Sequence, residues 1–320
     1  MFKNMLLPLD GSHFSELALP LAIRVAKAAN ASLHIVRVHV PPPSTGDAPA
    51  AWDLDEAIRE KERHHLRAAV ERAQASEVAA VCDLLEGPVG RGLERYVSAL
   101  AIDFVVMTTH GRSGLKRAVL GSIAEHCIRT THVPLLLLHP RAAEDEVPTQ
   151  PESVKRILIA LDGSPESETA IRPAVELALL TGARITLARV ATAPFDIAAT
   201  IGVDAMHEYL ERARRDALNY LQEVAARLSG TAHVNTIAVS ADRAAQGILR
   251  CRDEVDADLI AMATHGRSGW SRIAVGSVAE SVLHRAPVPV LILRPAPDRT
   301  AVAFPAITDL DNAANEKDPT

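Results

Sequence analysis

Residues 109–122, THGRSGLKRAVLGS, return at 264–277 as THGRSGWSRIAVGS. Such a match inside one chain marks a duplicated unit. Working outward, MLLPLDGSHFSELALPLAIRVAKAANASLHIVRV aligns with ILIALDGSPESETAIRPAVELALLTGARITLARV, which sets Asp10 against Asp162, and Pro134 falls opposite Pro289. A chain of 320 residues is long for one domain and suits two of about 150. The duplication predicts domains over 1–140 and 152–295, a polar, proline-bearing linker over 141–151, and a disordered tail over 296–320.

Each copy opens with a short apolar run ending at Asp-Gly-Ser. A helix follows, with Leu17, Leu21 and Val25 four apart, and then a strand, SLHIVRV or RITLARV. The pattern then predicts a long charged helix near 53–75 and 203–229, a third strand near 78–85 and 232–239, and a helix near 90–101 and 244–256. DFVVMTT or DLIAMAT reads as a fourth strand. After the repeated loop come a helix starting near Ser122 and a last strand, VPLLLLH or VPVLILR. Strands that are apolar throughout, alternating with helices, call for an α/β fold with a parallel sheet covered on both faces.

Composition removes several function classes. A net charge of −6, a pI near 6.1 and only 3% aromatic residues disfavour a nucleic-acid binder, which needs a basic balance and stacking platforms. No apolar run reaches the about 18 residues of a membrane span. The start, MFKNMLLPLDGS, lacks the pattern of a signal peptide, so a reducing cytoplasm is expected. Cys82, Cys127 and Cys251 show no CxxC spacing and are expected to fill core rather than form disulfides or hold zinc. His64 and His65 sit on a charged helix without a second ligand pair, so no structural metal is expected.

In a parallel sheet, ligands bind beyond the carboxyl ends of strands whose connections leave toward opposite faces. The first strand ends at Leu9-Asp10-Gly11-Ser12 and the fourth at Thr108-Thr109-His110-Gly111. If these strands are neighbours, a carboxylate and a glycine loop share one crevice. The loop from Gly111 to Gly121 delivers the chain to a helix N-terminus at Ser122, where free N–H groups favour phosphate and the hydroxyl can add a donor. Ser122 with Glu125, and Ser277 with Glu280, equally spell a capping box. Asp10 and Asp162 read either as ligand contacts or as cap and turn residues. Arg112, Arg117, Arg267 and Arg272 read as phosphate clamps, solvated charges or partner contacts. His110 and His265 have no triad partner at a recognisable spacing and read as backbone-bonded loop residues. The absence of GxxxxGK[ST], and of GxGxxG after the first strand, disfavours a P-loop NTPase and a dinucleotide enzyme.

Through PLDGS and ALDGS, GRSGLKRAVLGS and GRSGWSRIAVGS, and VPLLLL and VPVLIL, both copies resemble the universal stress protein family, as a tandem member. The resemblance implies two doubly wound domains, each a five-stranded parallel sheet of order 3-2-1-4-5 with helices on both faces. It also implies an intrachain pseudo-dimer joined through the last strands, and leaves a further homodimer open. The family's ATP-binding branch carries Gly-x2-Gly-x9-Gly-Ser/Thr. Gly111, Gly121 and Ser122 match it, as do Gly266, Gly276 and Ser277, while Thr108 and Ala263 replace the leading glycine and put side chains where backbone should approach the ligand.

The resemblance further implies an adenine nucleotide, ATP with Mg2+, beside Asp10, Val38, Met107 and Ile123 in the first copy. In the second it implies the same ligand beside Asp162, Val190, Met262 and Val278, and this copy is the favoured one. The expected role is a stress-response sensor or regulator acting on a protein partner, with neither nucleic acid nor membrane involved. Two alternatives stand: a nucleotide-free interaction protein, suggested by the lost glycines, and a slow ATP hydrolase, for which neither a positioned base nor a P-loop lysine is found.

Overall fold

In the computed structural model, the apolar runs form one ten-stranded sheet. The structure describes residues 2–42, 49–109, 120–139, 154–193, 202–228, 230, 233–264 and 275–295. The first half contains β1 (Asn4–Pro8), α1 (His13–Glu16), α2 (Leu19–Ala29), β2 (Ser32–His39), α3 (Pro49–Ala75), β3 (Ala80–Glu86), α4 (Val89–Ala99), β4 (Phe104–Thr108), α5 (Ser122–Thr130) and β5 (Leu135–Leu138). The second contains β6 (Arg156–Ala160), α6 (Pro165–Glu168), α7 (Ile171–Thr181), β7 (Arg184–Ala191), α8 (Val203–Arg227), β8 (Val234–Ser240), α9 (Ala244–Glu254), β9 (Leu259–Ala263), α10 (Ser277–Arg285) and β10 (Val290–Leu293). The expected linker 141–151 and tail 296–320 lie outside the described residues.

The sheet order is β3-β2-β1-β4-β5-β10-β9-β6-β7-β8, so each half has the order 3-2-1-4-5 and is parallel within itself. The halves meet where β5 and β10 pair antiparallel, with Leu136 opposite Leu291. Alternate strand residues face opposite layers. Met5, Leu7, Phe104, Val106 and Leu136 pack with α2 and α3, and the same layer runs on into Ile157, Ile159, α7 and α8. Leu6, Val105, Met107, Leu135 and Leu137 pack on the other face with α4 and α5, continuous with Leu158, Ile260, α9 and α10. Burial on both faces explains why the central strands β4, β5, β9 and β10 are apolar at almost every position.

A repeated acidic residue sets the neighbour of the first strand. At the entry to β4, Asp103 accepts from the backbone N–H groups of Lys3 (2.7 Å) and Asn4 (3.2 Å), while its own N–H donates to the Asn4 carbonyl (2.9 Å). Asp258 holds Lys155 and Arg156 in the same way. These bonds put β4 beside β1 and β9 beside β6, with Met5 opposite Phe104 and Ile157 opposite Leu259.

The helix expected to run through Leu17, Leu21 and Val25 is instead two helices, α1 and α2. Pro20 lies in the first turn of α2; it has no N–H to offer the Glu16 carbonyl, and its ring would collide with that carbonyl in an unbroken helix. The N–H groups of Leu17 and Ala18 turn to Phe14 and Ser15 instead. Pro173 is likewise near the start of α7. Both helices stop on left-handed residues, Asn30 (φ 50°) and Gly182 (φ 69°), the types that tolerate this conformation.

Asp103→Ala is expected to lower the free energy of unfolding by about 1 to 2 kcal/mol, because two backbone donors lose a charged acceptor. Urea denaturation checks this, and an unchanged midpoint would remove Asp103 from the account of strand order.

Candidate functional site

After their short paired segments, β1 and β4 send their connections to opposite faces, toward α2 and α5. A cavity of about 290 Å3 opens there, lined by Asp10, Ser15, Val38, Met107, Thr108, Gly121, Ser122 and Ile123 among others. Its counterpart between β6 and β9 measures about 350 Å3 and is lined by Asp162, Ser167, Arg189, Val190, Met262, Ala263, Gly276, Ser277 and Val278, together with residues of α8 and α9. Each cavity thus gathers the site residues read from sequence in its half, with two exceptions. Gly111 and Gly266, together with His110, His265 and the four loop arginines Arg112, Arg117, Arg267 and Arg272, lie outside the described residues.

The base of each repeated loop is closed by backbone. The Gly121 N–H donates to the Thr109 carbonyl (2.8 Å) and the Gly276 N–H to the Thr264 carbonyl (3.0 Å), while the Thr109 and Thr264 N–H groups bond the ends of β5 and β10. This fixes where α5 and α10 begin.

The cap of α5 is Gly121 and that of α10 is Gly276, so the capping box expected of Ser122–Glu125 and Ser277–Glu280 does not form. The loop closure advances the cap by one residue, leaving each serine as the first helical residue and each glutamate as the fourth. The Glu125 N–H is already bonded to the Gly121 carbonyl, and the Glu280 N–H to that of Gly276. Among the described residues, neither Ser122 nor Ser277 makes a side-chain hydrogen bond, and both are exposed. Their hydroxyls and the first-turn N–H groups line the cavities.

Opposite them, Asp10 organises the turn after β1 rather than capping a helix. Its Oδ1 accepts from the Ser12 N–H (2.9 Å) and Ser12 hydroxyl (2.6 Å), and Ser12 in turn caps α1 by accepting from the Ser15 N–H (3.1 Å). Asp162, Ser164 and Ser167 repeat the arrangement. Gly11 (φ 78°) and Gly163 (φ 89°) make the turn possible, and a guanidinium lies directly over each, Arg37 on the first and Arg189 on the second.

Residues absent from the sequence reading complete the walls. Ser15 and Ser167 are buried and accept from the N–H groups of Asp10 and Asp162. Gly92 on α4 and Gly247 on α9 admit Val38 and Val190; a Cβ on Gly247 would stand 2.5 Å from a Val190 methyl. Recurrence at matching positions, Arg-Val within the second strand and a glycine inside a helix, was the signal available for them.

Burial pushes the Cys127 thiol up to about 12 and the Cys251 thiol up to about 11, which keeps both protonated and unreactive. Among the described residues, no group of three or more His, Cys, Asp and Glu side chains is placed to hold a metal, and no helix is long and apolar enough to cross a membrane.

The model of the universal stress protein family matches residues 1–139 and 153–294. Universal stress protein Rv1996 of Mycobacterium tuberculosis is 27% identical over an alignment that covers 89% of this chain and 93% of the relative. Universal stress protein MJ0531 of Methanocaldococcus jannaschii is 31% identical over 43% of this chain and 82% of its own length. A crystal structure of a universal stress protein from Archaeoglobus fulgidus shares the fold, with a TM-score of 0.65, 22% identity, and coverage of 92% of this chain and 98% of that one.

Ser12→Ala is expected to cost about 1 kcal/mol of stability through loss of its cap, whereas Ser122→Ala should leave the melting temperature unchanged. An equal loss in both would restore a capping role to Ser122.

Proposed function

Since the chain belongs to the universal stress protein family and carries that domain twice, we propose that it binds an adenine nucleotide, ATP above all, and serves as a sensor whose occupied state is read by a protein partner. One observation carries this reading: an uncapped serine and the free N–H groups of a helix start face an aspartate across a cavity walled by valine and methionine. A helix N-terminus with unsatisfied donors and a favourable dipole suits phosphate. An apolar slot with a few polar groups suits a base and its ribose.

The residues fit such a ligand. In the second half, Ser277 and the first-turn N–H groups of α10 would hold phosphates, Val190 and Met262 would flank the base, and Asp162 would take a hydroxyl or amino group. Asp10, Val38, Met107, Ser122 and Ile123 would do the same in the first half, and Val278 stands where Ile123 does. Bound ATP supplies a polyanion whose presence is the signal. Any Mg2+ would travel on its phosphates, as that ion commonly does. Thr108 stands in the first cavity where the second has only Ala263, so the second half is the stronger site. A cytoplasmic setting agrees with buried, unreactive thiols and a pool of ATP to sense.

Calorimetric titration of nucleotide-stripped protein with ATP and Mg2+ tests the reading. Binding near micromolar, about −8 kcal/mol, is expected. Ser277→Ala should weaken it about tenfold, and Ala263→Gly should tighten it. No heat and no competition up to millimolar ATP would favour a nucleotide-free interaction protein.

A further inference from the structure

The second cavity carries a side arm that the first lacks. It measures about 350 Å3 against about 290 Å3. Tyr209, Ala213 and Ala217 of α8 form part of its wall, together with Ala191 at the end of β7 and Thr192 just after it. Among the described residues, no side chain of α3 lines the first cavity.

Side-chain size explains the difference. The buried stripes of the long helices match, with Glu62, Leu66, Ala69 and Ala73 on α3 answering to Ala217, Leu221, Val224 and Leu228 on α8. In the same register Ile58 stands where Ala213 does, and on the strands His39 stands where Ala191 does. Ala217 and Ala191 thus lack the atoms with which the buried Glu62 and His39 fill the space between helix and sheet. In the first half those atoms are held by their bonds. His39 lies between Glu62 (2.7 Å) and Asp55 (2.9 Å), Glu62 also takes the Arg37 guanidinium (2.9 Å), and Asp55 takes that of Arg59 (2.8 Å). Opening the same space there would break this network.

Three alanines give the arm an apolar wall without bulk, and Tyr209 brings a ring on which a planar group can stack. The arm is continuous with the part of the cavity that holds Val190, Met262 and Ser277. A ligand with one base beside Val190 and Met262 and its phosphates at the start of α10 therefore has room for a second planar group. We propose that the arm is a subsite for a second base, so that the second half takes a dinucleoside polyphosphate in preference to a mononucleotide. His39 and Glu62 close the first half to such a ligand. This rests on the nucleotide-binding reading above and names the ligand class of that site. Tyr209, Ala213 and Ala217 are its specificity-determining residues, and a polyphosphate chain supplies the flexible link between the two bases.

The test titrates the full chain, stripped of nucleotide, with ATP and, separately, with diadenosine tetraphosphate. In the unaltered protein, diadenosine tetraphosphate is expected to bind the tight site about tenfold more strongly than ATP. Tyr209→Ala should remove that advantage and leave ATP unchanged, and Tyr209→Phe, which keeps a ring, should retain it. Ala217→Leu, which fills the arm, should act as Tyr209→Ala does. Leu54→Ala, at the matching position of the first half, should alter neither ligand, with thermal melts confirming that each variant folds. Equal affinities in the unaltered protein, equal losses for both ligands, or no loss with Tyr209→Ala would overturn the assignment while leaving nucleotide binding in place. If the unaltered protein binds neither ligand, the nucleotide-binding reading fails and this assignment with it.

Discussion

Everything at the two sites depends on β1 lying beside β4, and β6 beside β9. The clamp made by Asp103 on the backbone of Lys3 and Asn4, repeated by Asp258, holds these neighbours at their entry ends. Both strands point the same way, and the chain leaves them toward opposite faces, so a gap must open at their carboxyl ends. The turn carrying Asp10 and the helix beginning at Ser122 are thereby brought to one cavity from distant parts of the sequence.

The antiparallel pairing of β5 with β10 then makes one sheet of two. Because Leu136 and Leu291 lie in one apolar layer, and Leu135, Leu137, Val290 and Ile292 in the other, both cores run through the junction. The contact between α2 and α7 reinforces it on one side. Edges that two separate domains would expose are used up in joining them, which is a physical reason for carrying the unit twice.

Duplication has kept the frame and let the interior diverge. The Asp-Gly-Ser turn, its capping serine and its second serine are bonded alike in both halves. The long helices are not alike: α3 brings Glu62 into an ion-paired network, whereas α8 brings alanines and Tyr220. Frame residues satisfy the backbone and have few substitutes, while a helix laid over a sheet can change side chains as long as its buried stripe stays filled.

Much of this was legible in the sequence. The internal repeat and the strongly apolar central strands determined by themselves that the chain is α/β and built twice, because a strand buried on both faces admits few polar positions. The glycine and serine spacing likewise marked the carboxyl ends of the strands as the place to look. Tertiary structure alone decided the rest. That Ser122 follows its cap was set by the bond from Gly121 to Thr109, which closes a loop no local pattern describes. That Pro20 divides a helix was within reach of sequence reasoning, but the even spacing of Leu17, Leu21 and Val25 masked it. That Arg37 on β2 meets Glu62 of α3, and Arg189 on β7 stacks on Tyr220 of α8, was likewise decided by packing, because side chains so far apart in sequence meet only once the long helix lies on the sheet.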